Sequence, residues 1–273
     1  MKNAEKFRRL VDETKELILE EETKEFRIGK LLRIKDLPIV VIGDLHGDYM
    51  SLETITKRIE SEGECEKVVF LGDYADRGPS PLDVYERILK MKCSHPDGVF
   101  LLRGNHEASD FIEFRPHDLP WHIKNAYGDG WKEIYRSLIE LHKTLPVAAI
   151  VETRALLLHG GISPEITLKG LEDPTEEELE TILWSDPSDY VKGTAPSNRG
   201  AGMLFGPDVS FKVLDKLGVR YLVRGHSPVT KGYKWDHAGR VLTVFSAKYV
   251  YGLESGAYAL ITPMDPFIEI RTF

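Results

Sequence analysis

Short apolar runs alternate with amphipathic segments through the first part of the chain. The runs at 38–42, 67–71 and 98–102 are short and almost wholly apolar, which is typical of strands buried on both faces. Asp48 can cap a following segment with helical apolar spacing, and the Ser-Pro pair at 80–81 marks the start of a second helix. This order predicts three parallel strands joined by right-handed helical crossovers.

The rest of the chain mixes helical and strand patterns. An amphipathic helix is predicted at 3–25, and 107–144 is mostly helical around an irregular patch at 115–130. A Gly-, Pro- and Ser-rich loop is predicted at 193–208. Further strands are predicted at 147–152, 155–158, 221–223, 241–245, 257–261 and 267–271.

The pattern as a whole predicts an α/β fold. Strand–helix units come first, and the strand-rich end of the chain indicates a second sheet. Thr175 and Glu178 match a capping box and predict the start of another helix. Because the sequence shows neither an internal repeat nor a linker, residues 1–273 are expected to form a single domain, with an N-terminal helix within 1–30 packed against it.

Composition argues against several classes of function. The net charge of −8 argues against a general nucleic-acid-binding surface. The apolar runs are too short to span a bilayer, and the charged N-terminus lacks the apolar core of a signal peptide. Cys65 and Cys93 lack metal-site spacing and are expected to be reduced thiols. We therefore expect a cytoplasmic protein that binds neither nucleic acid nor membrane; its oligomeric state, monomer included, stays open.

A polar cluster follows each of the first three predicted strands. These clusters are GDLHG at 43–47, GDYADRG at 72–78 and RGNHE at 103–107. Ligand sites of α/β folds lie beyond the carboxyl ends of the strands, so the clusters should converge on one edge although they are far apart in sequence. The flanking glycines allow tight turns and close backbone approach.

The residue types of these clusters predict a metal site. Carboxylate, imidazole and amide groups together suit hard and borderline divalent metals, and two more histidines end later predicted strands. Two metals need about seven ligand contacts, a number that is reached if one carboxylate bridges the two ions. The candidate ligands are Asp44, His46, Asp73, Asn105, His159 and His226, with Asp73 as the bridge.

In this order and spacing the clusters resemble the signature of the PPP family of metallophosphoesterases. That family contains the eukaryotic Ser/Thr phosphatases of types 1 and 2A and calcineurin. The resemblance continues in WSDP at 184–187 and in NRG at 198–200, and it covers most of residues 38–262. It implies a metallophosphoesterase core in which a central β-sandwich of two mixed sheets is flanked by helices.

One stretch departs from the eukaryotic pattern. Eukaryotic members typically read SAPNYCG, whereas this chain reads SAKYVYG at 246–252. The family's tyrosine position falls on Val250, so either Tyr249 or Tyr251 could substitute for it. With this departure and the short end of the chain, the sequence resembles a compact prokaryotic-type member of the family.

The resemblance also implies how the metals are shared. A first metal would be held by Asp44, His46 and Asp73. A second would be held by Asp73, Asn105, His159 and His226.

The remaining implied roles concern the phosphate group. Arg77 and Arg199 resemble the arginines that clamp the phosphate oxygens, with Asn105 beside them. His106 resembles the general acid, and Asp76 resembles the carboxylate that orients it. Such a carboxylate is expected to fix the tautomer of the ring and to keep it protonated longer.

The implied function is metal-dependent hydrolysis of phosphoserine and phosphothreonine in proteins or peptides. The attack would come directly from a hydroxide that bridges two divalent ions, without a phosphoenzyme. Mn²⁺ is expected to support activity in an assay, with Fe, Zn, Co or Ni as alternatives.

Two other functions stay open. One is a symmetric dinucleoside tetraphosphatase or other small-molecule phosphoesterase, although those enzymes tend to have Asp where Glu107 stands. The other is an inactive phosphate-binding module.

Several polar residues have simpler explanations. Asp48 is expected to be a helix cap, whereas Asp186 in WSDP is either a turn residue or part of the edge of the site. Histidines outside the motifs are expected to be structural or exposed, with the two in the irregular patch as the main exceptions. These histidines are His95, His117, His122, His142 and His237.

Overall fold

The structure is a computed structural model that describes residues 3–63 and 67–273. The expected reduced thiol of Cys65 lies outside the described residues. The strands are Arg27–Ile28 (β1), Leu31–Ile34 (β2), Ile39–Ile42 (β3), Lys67–Phe70 (β4), Val99–Leu101 (β5), Ala148–Val151 (β6), Ala155–Leu158 (β7), Asp186–Pro187 (β8), Thr194–Pro196 (β9), Met203–Phe205 (β10), Tyr221–Arg224 (β11), Tyr233–Asp236 (β12), Val241–Val244 (β13), Ala257–Ile261 (β14) and Ile268–Thr272 (β15). The α-helices are Ala4–Glu20 (α1), Tyr49–Glu62 (α2), Pro81–Ser94 (α3), Leu119–Tyr127 (α4), Trp131–Thr144 (α5), Leu168–Glu172 (α6), Glu176–Trp184 (α7), Pro207–Leu217 (α8) and Lys248–Tyr251 (α9).

Two mixed sheets form the centre of the molecule. The five-stranded sheet has the order β15-β14-β3-β4-β5, in which β3, β4 and β5 are parallel as predicted. The seven-stranded sheet has the order β1-β2-β6-β7-β11-β13-β12, and β7, β11 and β13 are parallel neighbours in it. A small third sheet, β8-β10-β9, was not predicted.

The two large sheets pack face to face and are covered by helices on their outer faces. In β3, Val41 points into the core between the sheets, whereas Val40 and Ile42 point into the core under α1 to α5. In β7, Leu157 lies between the sheets and Leu156 lies under α6 to α8. Because both faces of these strands are buried, their sequences are continuously apolar rather than alternating. The predicted fold class, two mixed sheets flanked by helices, is confirmed.

Element bounds differ from the predictions in a few places. The first helix ends at Glu20 rather than at 25; residues 21–25 form turns, and Glu25 takes a left-handed backbone conformation before β1. The irregular patch at 115–130 contains α4, and the predicted loop at 193–208 contains β9, β10 and the start of α8. The domain boundaries 1–273 stay a prediction. Among residues 3–63 and 67–273, no helix combines the length and apolarity needed to cross a membrane.

Candidate active site

The polar clusters meet at the carboxyl edge of both large sheets. The loop after β3 is tied to the loop after β4, because Asp73 O accepts the backbone N–H groups of Leu45 (3.0 Å) and His46 (2.8 Å). Glycines permit the close approach. A Cβ at Gly104 would collide with the Asp73 backbone and carboxylate, and a Cβ at Gly225 would collide with the Asp44 carboxylate.

The first group of donor atoms comes from the loops after β3 and β4. His46 Nε2 lies 3.6 Å from Asp44 Oδ2 and 3.4 Å from Asp73 Oδ2. His46 Nδ1 lies 3.0 Å from the carbonyl oxygen of Ala75. Since a carbonyl oxygen only accepts, Nδ1 carries the proton and the lone pair of Nε2 points at the two carboxylates. Asp44 Oδ2 is buried and accepts no hydrogen bond from the residues that the structure describes.

The second group of donor atoms joins the two sheets. His159 Nε2 lies 2.9 Å from Asn105 Oδ1, 3.2 Å from His226 Nδ1 and 3.3 Å from Asp73 Oδ1. His159 Nδ1 lies 3.0 Å from the carbonyl oxygen of Leu71, so its Nε2 also carries a lone pair. A lone pair, an amide oxygen and a carboxylate therefore face one another in a buried space, which is an arrangement suited to a cation.

Asp73 lies between the two groups. Its Oδ2 faces His46 and its Oδ1 faces His159, while Oδ1 also accepts the backbone N–H of His106 at 3.0 Å. Burial opposes ionisation, but His159, His106 and His46 outweigh it and hold the pKa of the Asp73 carboxyl well below its ordinary value. The carboxylate is therefore ionised and reaches both donor groups, as a bridging ligand must.

The carboxylates of Asp44 and Asp73 place negative charge beside two of the buried histidines. Burial lowers the pKa of His46 and of His159, but the carboxylates of Asp44 and Asp73 outweigh it and raise both above the ordinary histidine value. Burial, and then His159 and Arg224, lower the pKa of His226, so the carboxylates favour a cation beside His46 and His159 in particular. Among the described residues, two sets of three side chains have donor atoms within 4.8 Å of one another: His46, Asp73 and His106 form one set, and Asp73, His159 and His226 form the other.

Glu107 has a role that sequence reasoning did not identify. Its carboxylate accepts the backbone N–H groups of Asp73 (2.7 Å), Tyr74 (3.0 Å) and Gly104 (3.0 Å), and so fastens the loops after β4 and β5 together. Burial, and then the charge of Asp73, raise the pKa of Glu107 to about 7. Its place within RGNHE was the one available signal.

Arg77 lies at the site and is hydrogen-bonded to a tyrosine. Its Nη1 donates to the Tyr251 hydroxyl at 2.6 Å, and its Nη2 lies 3.4 Å from His106 Nε2. The Tyr251 ring lies 5.6 Å from the His46 ring, whereas Tyr249 is 46% exposed. Of the two tyrosines left open by the sequence, Tyr251 therefore faces the site.

Arg199 is held from the other side of the cleft. Its Nε donates to Asp186 Oδ2 at 2.5 Å, and its Nη2 donates to Ser227 Oγ at 2.9 Å. Asp186 in turn accepts from the buried Arg224 at 2.9 Å. Burial opposes ionisation of Asp186, but Arg224, His226 and Arg199 lower its pKa. Of the two readings of Asp186, the structure thus places it at the edge of the site.

A cleft of about 370 Å³ opens above these groups. Both arginines line it, and aromatic and imidazole rings form much of its wall. The lining includes His46, Arg77, Phe114, Trp184, Arg199 and His226.

His106 stands at the floor of the cleft with Asp76 behind it. Its Nδ1 lies 2.8 Å from Asp76 Oδ2, and its Nε2 lies 3.9 Å from Asp73 Oδ2. Burial lowers the pKa of His106 and outweighs the opposite effects of Asp73 and Asp76. The two carboxylates thus favour the protonated ring, as expected of such neighbours, whereas desolvation, which sequence reasoning did not include, sets the net direction of the pKa shift.

The other histidines separate into two kinds. His117 joins the site network, with Nδ1 3.2 Å from Asp76 Oδ2. His122 lies 4.0 Å from Asp118, and His95 is exposed. The buried His142 and His237 lie next to the hydroxyl groups of Tyr85 and Ser210 and have structural positions.

Comparison with known proteins identifies the family. The calcineurin-like phosphoesterase family matches residues 37–230. A probable serine/threonine-protein phosphatase of Encephalitozoon cuniculi is 34% identical in an alignment of length 246 that covers 85% of this chain and 52% of that protein. The chain thus spans about half the length of this curated relative.

Solved structures share the fold. A protein serine/threonine phosphatase of Saccharomyces cerevisiae with similarity to human phosphatase PP5 has a TM-score of 0.79 at 25% identity, covering 99% of this chain and 90% of that one. A cold-active protein-tyrosine phosphatase of a psychrophilic Shewanella has a TM-score of 0.59 at 19% identity, covering 88% and 80%. The family match extends over well more than half of the chain. The chain therefore belongs to the calcineurin-like phosphoesterase family.

Proposed function

We propose that the protein is a two-metal phosphoprotein phosphatase that hydrolyses phosphoserine and phosphothreonine. The observation that carries the proposal is the pair of buried donor groups sharing Asp73, which lie beneath a cleft lined by Arg77 and Arg199. The names of the relatives from Encephalitozoon and Saccharomyces support the same class of substrate. We further infer that residues 1–273 form one catalytic domain.

The residues fit a pair of divalent ions. The lone pairs of His46 Nε2 and His159 Nε2 face carboxylates, and Asp44 Oδ2 is buried without a donor among the described residues. Asp44, His46 and Asp73 would hold one ion, and Asp73 would share the other with Asn105, His159 and His226. Such ions supply Lewis-acid activation of water and neutralise charge that develops on phosphate oxygens.

The arginines bind and orient the phosphate. A guanidinium stays charged and matches two phosphate oxygens at once, so Arg77 and Arg199 on opposite sides of the cleft would clamp the group between them. The Asn105 amide lies at the floor of the same cleft and is proposed to contact both phosphate and metal. Because Tyr251 and Asp186 already restrain the arginines, less side-chain entropy is lost when substrate binds.

His106 is proposed to protonate the leaving oxygen. Its Nδ1 donates to Asp76, which leaves Nε2 facing the cleft to carry and deliver the second proton. Burial depresses the pKa of the free ring, but a phosphate dianion beside Nε2 favours the protonated form again. A serine or threonine alkoxide is a poor leaving group, so this proton transfer has the most effect on those substrates.

One assay tests the proposal. The purified protein is supplied in turn with Mn²⁺, Fe²⁺, Zn²⁺, Co²⁺ or Ni²⁺, and kcat/KM is measured for phosphoserine and phosphotyrosine peptides and for diadenosine tetraphosphate. We expect Mn²⁺ to support activity and the phosphoserine peptide to have the highest kcat/KM. A higher value for the dinucleotide would favour the tetraphosphatase, and no hydrolysis with any metal would favour the inactive phosphate-binding module.

A further inference from the structure

The carboxylate of Asp76 is shared by two histidines and one helix. Its Oδ1 accepts the backbone N–H groups of Asp118 and Leu119, both at 2.8 Å, at the start of α4. Its Oδ2 faces His106 Nδ1 at 2.8 Å and His117 Nδ1 at 3.2 Å. Since a carboxylate only accepts, both imidazoles donate to the same oxygen.

His117 is itself held from behind by α5. Its Nε2 lies 2.9 Å from the hydroxyl group of Tyr135, so a line of hydrogen bonds runs from α5 through His117 to Asp76. The Phe114 ring lies between the two histidines, with its centroid 4.1 Å from that of His106 and 5.0 Å from that of His117. The second histidine therefore contacts both the carboxylate and the aromatic ring that touch His106.

His117 also separates Asp76 from solvent. The side chain of Asp76 is fully buried, whereas that of His117 is 22% exposed on the outer side of it. Without this ring, water would reach Oδ2 and compete with His106 for it. A solvated carboxylate rotates more freely and orients a neighbouring imidazole less well.

We propose that His117 is a positioning residue of the site, which holds the Asp76 carboxylate in the orientation that aims His106 at the leaving oxygen. The inference rests on the proposed phosphatase function. His117 has this effect through Asp76, without contact with the phosphate, and Tyr135 contributes through His117.

Leaving-group dependence is the kinetic test. His117→Ala should lower kcat for a phosphoserine peptide by about three- to tenfold, less than the roughly 10–100-fold typical of a direct hydrogen-bond partner of a functional histidine, because His117 acts through Asp76. It should lower kcat for 4-nitrophenyl phosphate by less than about twofold, because nitrophenolate leaves without a proton. His117→Asn, whose amide N–H replaces the Nδ1–H donor, should restore most of the loss. Tyr135→Phe should give a milder form of the same pattern, and the exposed His95→Ala is the control.

A spectroscopic test is independent of turnover. In Zn²⁺-loaded protein, the downfield proton resonance of His106 Nδ1–H, assigned by its loss in His106→Asn, should shift in His117→Ala and return in His117→Asn. If the wild type does not hydrolyse the phosphoserine peptide, the proposed phosphatase function is rejected. The resonance of His106 Nδ1–H would still show whether His117 positions Asp76. An unchanged resonance, or an unchanged ratio of the two kcat values in a phosphoserine-active enzyme, would overturn the inference.

Discussion

Residues of the site occupy backbone conformations that ordinary residues avoid. His46, Asp73, Asp76, Arg77 and His226 all have positive φ, between 43° and 71°. For residues with a Cβ, this region costs about 1–3 kcal/mol each. Such a cost persists where the surrounding hydrogen bonds fix the turn, and here the turns reverse the chain directly after the strands so that the side chains point inward.

Loss of the Asp73 carboxylate, which both donor groups share, should lower kcat more than loss of the Asp44 carboxylate. Asp73→Asn removes a charged ligand atom from both donor groups. Asp44→Asn removes one from the first group, and the amide oxygen of the new side chain can still accept the backbone N–H of His226. We expect Asp73→Asn to lower kcat more than about 100-fold, beyond the usual effect of residues outside the ligand set. Metal stoichiometry and kcat measured for both variants, with the exposed Asp129→Asn as control, test this. Full metal occupancy with a near-normal rate in Asp73→Asn would reject a bridging carboxylate.

The proposed role of His106 as general acid should appear as a difference in kcat between two kinds of substrate. His106→Asn is expected to reduce kcat for phosphoserine peptides by roughly 10²–10⁴-fold and to spare 4-nitrophenyl phosphate, since only the alkoxide needs a proton. Arg77→Ala removes charge from the phosphate clamp, so both substrates should suffer alike. The measurement is kcat for the two substrates at saturating metal. An equal loss on both in His106→Asn would instead indicate a role in binding or in holding the metals.

Motif residues of the site were predictable, but the residues that hold them were not. Asp44, His46 and Asp73 could be placed at one edge of the sheet from the sequence, because each lies in the loop that follows a predicted strand. Arg224 and Ser227, which fix Asp186 beside Arg199, lie far from it in sequence, and a single sequence gives no sign of such a contact. The net pKa shift of His106 could not be predicted for a related reason, since it is set by burial, which is a property of the fold.

At the scale of elements, the carboxylate of Asp48 accepts hydrogen bonds from the starts of both α2 and α9. Asp48 caps α2 as predicted, because its Oδ1 accepts the N–H of Ser51 at 3.0 Å. Its Oδ2 also accepts the backbone N–H groups of Tyr249 (2.7 Å) and Val250 (3.2 Å) at the start of α9. The cap of one helix thus sets the position of the other, which carries Tyr251.

Asp48→Ala should therefore affect both stability and activity. Leaving buried donors unpaired costs about 1–3 kcal/mol in the free energy of unfolding. Looser docking of α9 should also weaken the support that Tyr251 gives to Arg77, so kcat should fall similarly for alkyl and aryl phosphates. Tyr251→Phe is the matched control, which should reproduce the loss of activity with little loss of stability. Denaturant unfolding and kcat test both parts, and wild-type activity in Tyr251→Phe would contradict the coupling.

Elements with strong local signals were predicted, and several without such signals were missed. The capping box of Thr175 and Glu178 is present at the start of α7. The edge strands β1 and β12 were missed because they are short and only partly buried, so their sequences lack a continuous apolar run. Helix α8 has readable signals, Pro207 in its first turn and Gly218 after its end, which the loop prediction at 193–208 obscured.

The packing of α3 against α5 contains a buried neutral histidine. His142 Nε2 lies 2.8 Å from the Tyr85 hydroxyl, and burial lowers the pKa of His142 to about 3. The unfolded chain has a histidine pKa of about 6.5, so between these values it binds a proton that the native state does not. Stability should therefore be full above about pH 6.5 and fall as the pH falls, by about 2 kcal/mol at pH 5 from this group. Unfolding free energies of wild type and His142→Gln at pH 7 and 5 test this, and parallel losses would contradict it.

At the scale of the whole molecule, the donor groups connect the two sheets. Asp44, Asp73 and Asn105 follow strands of the five-stranded sheet, whereas His159 and His226 follow β7 and β11 of the seven-stranded sheet. Protein contacts already join the sheets at this edge, where Asp44 forms a parallel bridge with Phe245. A cation held between the sheets would add a second connection at the same place.

Metal binding should for this reason stabilise the molecule as a whole. A ligand that binds only the native state at 100 times its Kd adds about 2.7 kcal/mol to the free energy of unfolding. For a chain of this size that corresponds to a rise in Tm of roughly 5–10 °C. Calorimetry in excess chelator and in saturating Mn²⁺ measures the shift. In Asp73→Asn the shift should fall to less than about half, because that side chain faces both groups of donors. A shift as large in Asp73→Asn as in the wild type would place the stabilising metal elsewhere, and an unchanged Tm in the wild type would mean that metal does not link the two sheets.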